Sequence, residues 1–253
     1  MRTIAFTKRT IKELLRDPLS YIFCLGFPMI MLIIMTVVDQ SIPAEGNVEV
    51  FHIWNLAPGI ALFGLTFIML FTAIQVSKDR ATALLMRLYA SPMKAVDFIV
   101  GYTLPVMVIA VVQSLITFVV SAVIGTMIDY QFAFGRVIIA ILALIPSAFL
   151  FIGFGLFFGT LLNDKAAPGV CSIIITLSCM LGGVWMDVDL LGGVLQDVAH
   201  ALPFYQGTMA ARYGIAGDYG ELLKPFLITM GYGVVIYVLS IWLFYKKMQQ
   251  DIK

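Results

Sequence analysis

IWNLAPGIALFGLTFIMLFTAIQV, residues 53–76, contains no acid and no base, and SKDRATALLMRLYASPMKAVDF, residues 77–98, follows it. About 20 apolar residues cross a hydrocarbon core as a helix. A helix also satisfies its own backbone hydrogen bonds where no water is present. The first stretch therefore reads as a membrane span. The second is an island holding Lys78, Asp79, Arg80, Arg87, Lys94 and Asp97 before the next apolar run, 98–128. Leu84, Leu85 and Leu88 fall at helical spacing in its middle, and Ser91-Pro92 closes it. The island has two readings: a short amphipathic helix that receives a push from a soluble partner, or a solvated loop that only orients its neighbours.

Composition extends the membrane reading to the whole chain. Of 253 residues, 61% are apolar and 12% are charged, too few polar groups to cover a soluble fold. Uncharged runs occupy 19–38, 53–76, 98–128, 137–163, 166–186 and 225–245. Each is long enough to span as a helix. The expected fold is an all-α integral membrane protein with six transmembrane helices in one permease domain, 1–253. The first run is too long for the apolar core of a signal peptide, and no small-residue cleavage site follows it. The net charge of +1 argues against a nucleic-acid partner. Cys24, Cys171 and Cys179 lie inside apolar runs and fit no zinc spacing, so they read as reduced structural thiols.

Orientation follows from lysine and arginine placement. Thirteen fall before the first span, in the island, at Lys165 and at the C-terminus; Arg136, Arg212 and Lys224 lie on the other side. Both termini and the island are thus expected in the cytoplasm. Residues 1–17 form a candidate interfacial helix, with Ile4, Ile11 and Leu15 on one side, Leu14 at its edge, and Arg2, Arg9, Glu13 and Arg16 facing away; Phe6 interrupts the polar side. The outer connection 187–224 carries Leu190, Leu191, Val194, Leu195, Val198 and Leu202 at helical spacing between Gly182-Gly183 and Pro203. One or two short helices are expected there, re-entering the outer leaflet. Gly155 and Gly159 form a small-xxx-small pair that lets helices approach closely.

The chain has no G-x-x-x-x-G-K-[ST] phosphate loop, no H-E-x-x-H and no G-x-S-x-G. It carries no engine of its own, and no catalytic residue, metal ligand or cofactor is expected within it. No acid or base sits deep in a run. Gln113 is the notable polar residue inside one, expected to hydrogen-bond between helices. Phe63, Phe67 and Phe71 recur every fourth residue along the second run beside Thr66. Such a stripe either packs against another helix or lines a path for an apolar or amphipathic substrate.

In order and spacing these residues resemble the membrane subunits of type-2 ABC exporters over nearly the whole chain. Arg16-Asp17-Pro18 and Pro28 look like that family's entry into its first span, and Asn55-Leu56-Ala57-Pro58-Gly59 like the start of its second. Leu88, Ser91 and Pro92, then Gly101 and Gln113, match its coupling loop and third span. Gly182-Gly183 and Leu202-Pro203-Phe204 look like its outer re-entrant region. Two departures stand out. Ala83-Leu84-Leu85-Met86 replaces the family's Gly-Thr-Leu-Glu run, and no proline lies in Trp185-Met186-Asp187-Val188-Asp189.

The resemblance implies a pair of permease subunits, expected as a homodimer, on two copies of a separate ABC ATPase that binds ATP and magnesium. It places them in the inner or plasma membrane of a prokaryote. The segment 77–97 would be the coupling helix between spans 2 and 3, with Arg80, Leu84, Leu85, Arg87, Leu88, Ser91 and Pro92 touching the ATPase. The substrate path would run between subunits along spans 2 and 5. Phe63, Thr66, Phe67, Phe71, Thr176 and Met180 are its candidate lining. The expected cargo is a drug-like or lipid-like amphiphile; a lipid-linked glycan or wall polymer is the alternative, and a non-transporting scaffold is the alternative from another class.

Overall fold

Helix α1 covers Arg2–Leu15. A π-helical turn, Ile22–Gly26, leads into α2, Phe27–Ser41. The turn has a local cause. Pro28 donates no backbone hydrogen bond, and its ring would press on the carbonyl four residues back, at Cys24. A wider turn at Ile22–Gly26 relieves that clash. Then come α3, Ile53–Ala81, and α4, Ala95–Met127. Next are α5, Phe134–Ala143, and α6, Ile145–Leu161. After them lie α7, Ala167–Leu181, α8, Gly193–Ala201, α9, Pro203–Ala216, and α10, Tyr219–Asp251. This computed structural model describes residues 2–18, 22–43, 49–82 and 94–251, and no strand occurs among them.

The protein is an all-α, multi-pass membrane protein. Among the described residues five helical stretches are long and apolar enough to cross a membrane: Ile22–Ser41, Ile53–Ala81, Ala95–Met127, Phe134–Leu161 and Tyr219–Gln249. The remaining expected span, 166–186, is the shorter α7 of 15 residues. At 1.5 Å per residue it is about 22 Å long, less than the roughly 30 Å hydrocarbon core. Gly182-Gly183 ends it. Gly183 takes φ 70°, the left-handed conformation that favours glycine. Its N–H donates to Met180 O (3.3 Å) and that of Val184 donates to Cys179 O (3.1 Å), the paired bonds of a glycine-terminated helix.

The bundle is organised around α3. Residues 56–69 are buried without exception. α6 packs along it most closely because Gly155 and Gly159 bring the two backbones together. α4 packs on another side, where the Gln113 amide fills the notch above Gly64. Gln113 does not bond between helices as the sequence suggests. Its Nε2 donates to Thr117 Oγ1 within α4, at 3.2 Å. The helices also outrun the apolar runs. α3 continues through Ser77, Lys78, Asp79 and Arg80, so the start of the island belongs to the second span's helix. α4 begins at Ala95, where the Asp97 carboxylate accepts the Lys94 N–H at 2.9 Å and closes its first turn.

Candidate coupling site and substrate path

Helix α1 docks on the ends of α3 and α4 through a face that the sequence wheel does not predict. Phe6, Thr10 and Leu14 are buried at four-residue spacing, whereas Ile4 and Ile11 are exposed. Phe6 fits over Gly101, which leaves room for its ring, and meets Phe98 and Tyr102 edge-on at 5.4 and 4.9 Å. So the residue that interrupts the polar side is the one that anchors the helix. Ile4 and Ile11 remain on the outside, where an interfacial helix presents them to lipid.

Beside this anchor sits a charged knot. Arg9 donates to both carboxylate oxygens of Asp79, at 2.9 and 2.8 Å, and pairs with Glu13 at 2.5 Å. The Tyr102 hydroxyl donates to Asp79 at 2.6 Å. A forked guanidinium on a carboxylate is a strong, directional pair. Burial by itself would lower the pKa of Arg9. Its bond to Asp79 and the charges of Asp79 and Glu13 more than reverse that, and hold the guanidinium above its ordinary value. Three helices, α1, α3 and α4, thus meet at one carboxylate.

Arg80, expected to face the ATPase, is engaged inside the subunit. Its guanidinium donates to the carbonyls of Gly159, Thr160 and Leu162 at the C-terminal end of α6. These are carbonyls a helix end leaves without partners, at the negative end of its dipole. Arg80 therefore joins α3 to α6. Leu84, Leu85, Arg87, Leu88, Ser91 and Pro92 lie outside the described residues.

The aromatic stripe on α3 faces the first span. Phe67 lies 6.4 Å from Phe23 and 5.5 Å from Phe27; Phe71 lies 6.3 Å from Phe23, and Phe63 lies 5.7 Å from Phe27 and 5.2 Å from Trp185. Thr66 is fully buried, and its hydroxyl donates to Phe63 O at 2.7 Å. Thr176 and Met180 are exposed on α7, and the Thr176 hydroxyl returns to Ser172 O at 3.0 Å. The six candidate path residues do not share one surface: the phenylalanines pack within the subunit, and the two α7 residues face outward.

Phe67→Ala is accordingly expected to lower stability by about 2–3 kcal/mol. That is the cavity part of the cost of losing a buried phenylalanine, since lipid-embedded helices gain little from the transfer term. Thermal unfolding in detergent checks it. An unchanged midpoint would show that the ring is not packed.

At the opposite end of the bundle, Arg212 of α9 lies largely inside. Its Nε donates to Asn55 O at 3.2 Å and an Nη to Gly183 O at 2.7 Å. Burial pushes its pKa down to about 10, and the charges of Asp187 and Asp189 partly offset that. It ties the start of α3, the glycine break after α7 and α9 together. Counting it as one more outer-loop cation hides this role. Nearby, Asp189 gathers His200 Nε2 at 2.8 Å and the Tyr205 hydroxyl at 3.2 Å. Among the described residues no group of three or more His, Cys, Asp or Glu side chains is placed to hold a metal ion.

The sequence matches the ABC-2 type transporter family over residues 1–216. A comparison with curated proteins gives no match. That family match covers α1 through α9, so the knot at Asp79, the Arg80 tie and the Arg212 tie all fall within it. The chain belongs to the ABC-2 type transporter family and is a permease subunit of an ABC transporter.

Proposed function

We propose that this permease is the membrane half of an ATP-driven exporter that moves a drug-like or lipid-like amphiphile out of the cytoplasm. A separate ATPase subunit, present in two copies and carrying ATP and magnesium, drives it. A second copy of the chain completes the path. The observation that carries the reading is the continuity of α3. The most buried helix runs unbroken to Ala81 and leads directly into the segment 83–93. A push on that segment is delivered to the centre of the bundle. Asp79 and Arg80 spread it to α1, α4 and α6.

Two surfaces favour an amphiphile over a glycan. The aromatic rings of α3 pack on one another and on Phe23, Phe27 and Trp185, so only the Phe71 end of the stripe reaches the edge of the bundle. The outward faces of α2 and α7 are mainly aliphatic, with Ile30, Ile33 and Val37 on one and Ile173, Leu177 and Met180 on the other. Those faces suit a second permease subunit and an apolar cargo.

The test is coexpression with the partner ATPase. Leu85→Asp places an unpaired charge in an apolar contact, and Arg87→Glu reverses a charge that fixes register. A central apolar anchor carries about 2 kcal/mol or more. Leu85→Asp should therefore weaken copurification by about thirtyfold and abolish transport, with membrane abundance unchanged. If both variants copurify and transport like wild type, segment 83–93 is only a loop and the coupling assignment fails.

A further inference from the structure

A polar cavity of about 330 Å³ opens between the last turn of α1 and the last turns of α3. Three acids and two bases line it, and their commitments differ. Glu13 and Asp79 share Arg9, and Asp17 also has an interaction of its own. Arg16 and Lys78 line the same cavity, are exposed, and make no ion pair among the described residues. Counting Arg9, three bases stand against three acids around the cavity, and the two bases left without an ion pair among the described residues are Arg16 and Lys78.

Its floor is apolar. Leu14 and Phe71 line the cavity and also an adjoining slot of about 20 Å³ that runs toward Ile68 and Val106. That slot holds no more than about one water, so a chain does not pass beneath Phe71. The apolar surface continues outward instead. The Phe71 ring lies 6.3 Å from Phe23, which is exposed on the π-helical turn before α2. A charged cup thus opens onto an aromatic ledge at the edge of the bundle. That is the shape of an amphiphile site: a compact anion above, an apolar tail beside it.

We propose that this cavity holds the phosphate of an anionic phospholipid, with its chain lying over Phe71 and Phe23. Arg16 and Lys78 supply charge-assisted hydrogen bonds to the phosphate. Basic groups next to a span draw anionic lipid from the cytoplasmic leaflet. The bound lipid sits against α1 and α3 beside the Arg9–Asp79 pair, so it holds α1 in place. The proposal rests on the reading that α1 lies at the cytoplasmic leaflet. Labelling a cysteine at Glu45 from outside tests that reading separately, because lipid retention in detergent does not depend on orientation.

The experiment is native mass spectrometry of the full permease in detergent, titrated with phosphatidylglycerol or phosphatidylcholine. Wild type should retain phosphatidylglycerol in preference. Arg16→Gln with Lys78→Gln should weaken that retention by about thirtyfold and leave phosphatidylcholine unchanged. Lys8→Gln with Lys12→Gln, two exposed cations of the same helix outside the cavity, should behave as wild type. Glycerol phosphate should compete poorly. Equal losses in the two double variants would mean diffuse surface attraction and overturn the site. Absence of a preference for phosphatidylglycerol would overturn it too. Displacement by equimolar glycerol phosphate would assign the cavity to a soluble phosphate instead of a lipid. Glutamine keeps the length and polarity of both side chains, and an unshifted size-exclusion profile verifies the fold.

Discussion

Gly155→Val is expected to abolish accumulation of the folded permease, and Gly159→Val to do nearly as much. A β-carbon at Gly155 would lie 2.6 Å from the Met69 carbonyl oxygen and 2.6 Å from Thr72 Cβ. At Gly159 it would lie 2.7 Å from the Ala73 carbonyl oxygen and 2.8 Å from Val76 Cβ. In both cases one obstacle is the backbone of α3, which no rotamer change removes. The two helices must separate, and with them the core around residues 56–69. Overfilling a packed interior costs about 1–3 kcal/mol where side chains yield; against backbone, alanine should reach that upper end and valine exceed it. Gly231→Ala is the control, since nothing lies within 4 Å of a β-carbon there. In an exposed helix interior that change is neutral or gains about 1 kcal/mol. Membrane abundance and thermal midpoint in detergent measure all three. A wild-type midpoint for Gly155→Val would mean that α3 and α6 do not touch at this point.

That contact was legible before any coordinates, because a four-residue glycine spacing in a span has a local meaning. The same holds for the break at Gly182-Gly183 and for the start of α3 at the head of its run. What the runs do not mark is where helices end. They record where charge is absent, and a helix continues through Lys78, Asp79 and Arg80 at no cost to its backbone bonds. The partners of those side chains were not legible. Asp79 finds Arg9 seventy residues earlier, and Arg80 finds carbonyls about eighty residues later. Nothing in local spacing specifies either pairing. One signal was present all the same. An acid near the C-terminus of a helix has the wrong sign for the dipole there, and Asp79 lies in the last turns of α3, between two bases. A residue that breaks a local rule points to a distant partner. Phe6 on the polar side of α1 is a second instance: the sequence marks it as an interruption, but not as an anchor.

Asp79→Ala is expected to release α1 from the bundle. The Asp79 side chain is 9% exposed and that of Arg9 27%, so removing the carboxylate strands a half-buried guanidinium. Breaking one side of such a pair costs about 2–5 kcal/mol. Here the lower half of that range applies, because Arg9 keeps Glu13 and has a route to water. Tyr102→Phe should cost less, about 1.5–3 kcal/mol for one hydrogen bond to a charged acceptor. Glu13→Ala should cost under about 1 kcal/mol, since its side chain is 43% exposed. The exchange Arg9→Asp with Asp79→Arg should recover part of the loss. A double-mutant cycle on thermal stability gives the coupling directly. Asp79 also sits where α3 passes into the segment 83–93, so loosening it should reach function. In the assembled transporter, ATP turnover should persist while transport falls, because the push no longer reaches α1 and α4 together. Two results would count against this. Strictly additive single effects would mean that Arg9 and Asp79 do not act as a pair. A transport rate that falls only in proportion to protein abundance would mean that the knot holds the fold and carries no motion.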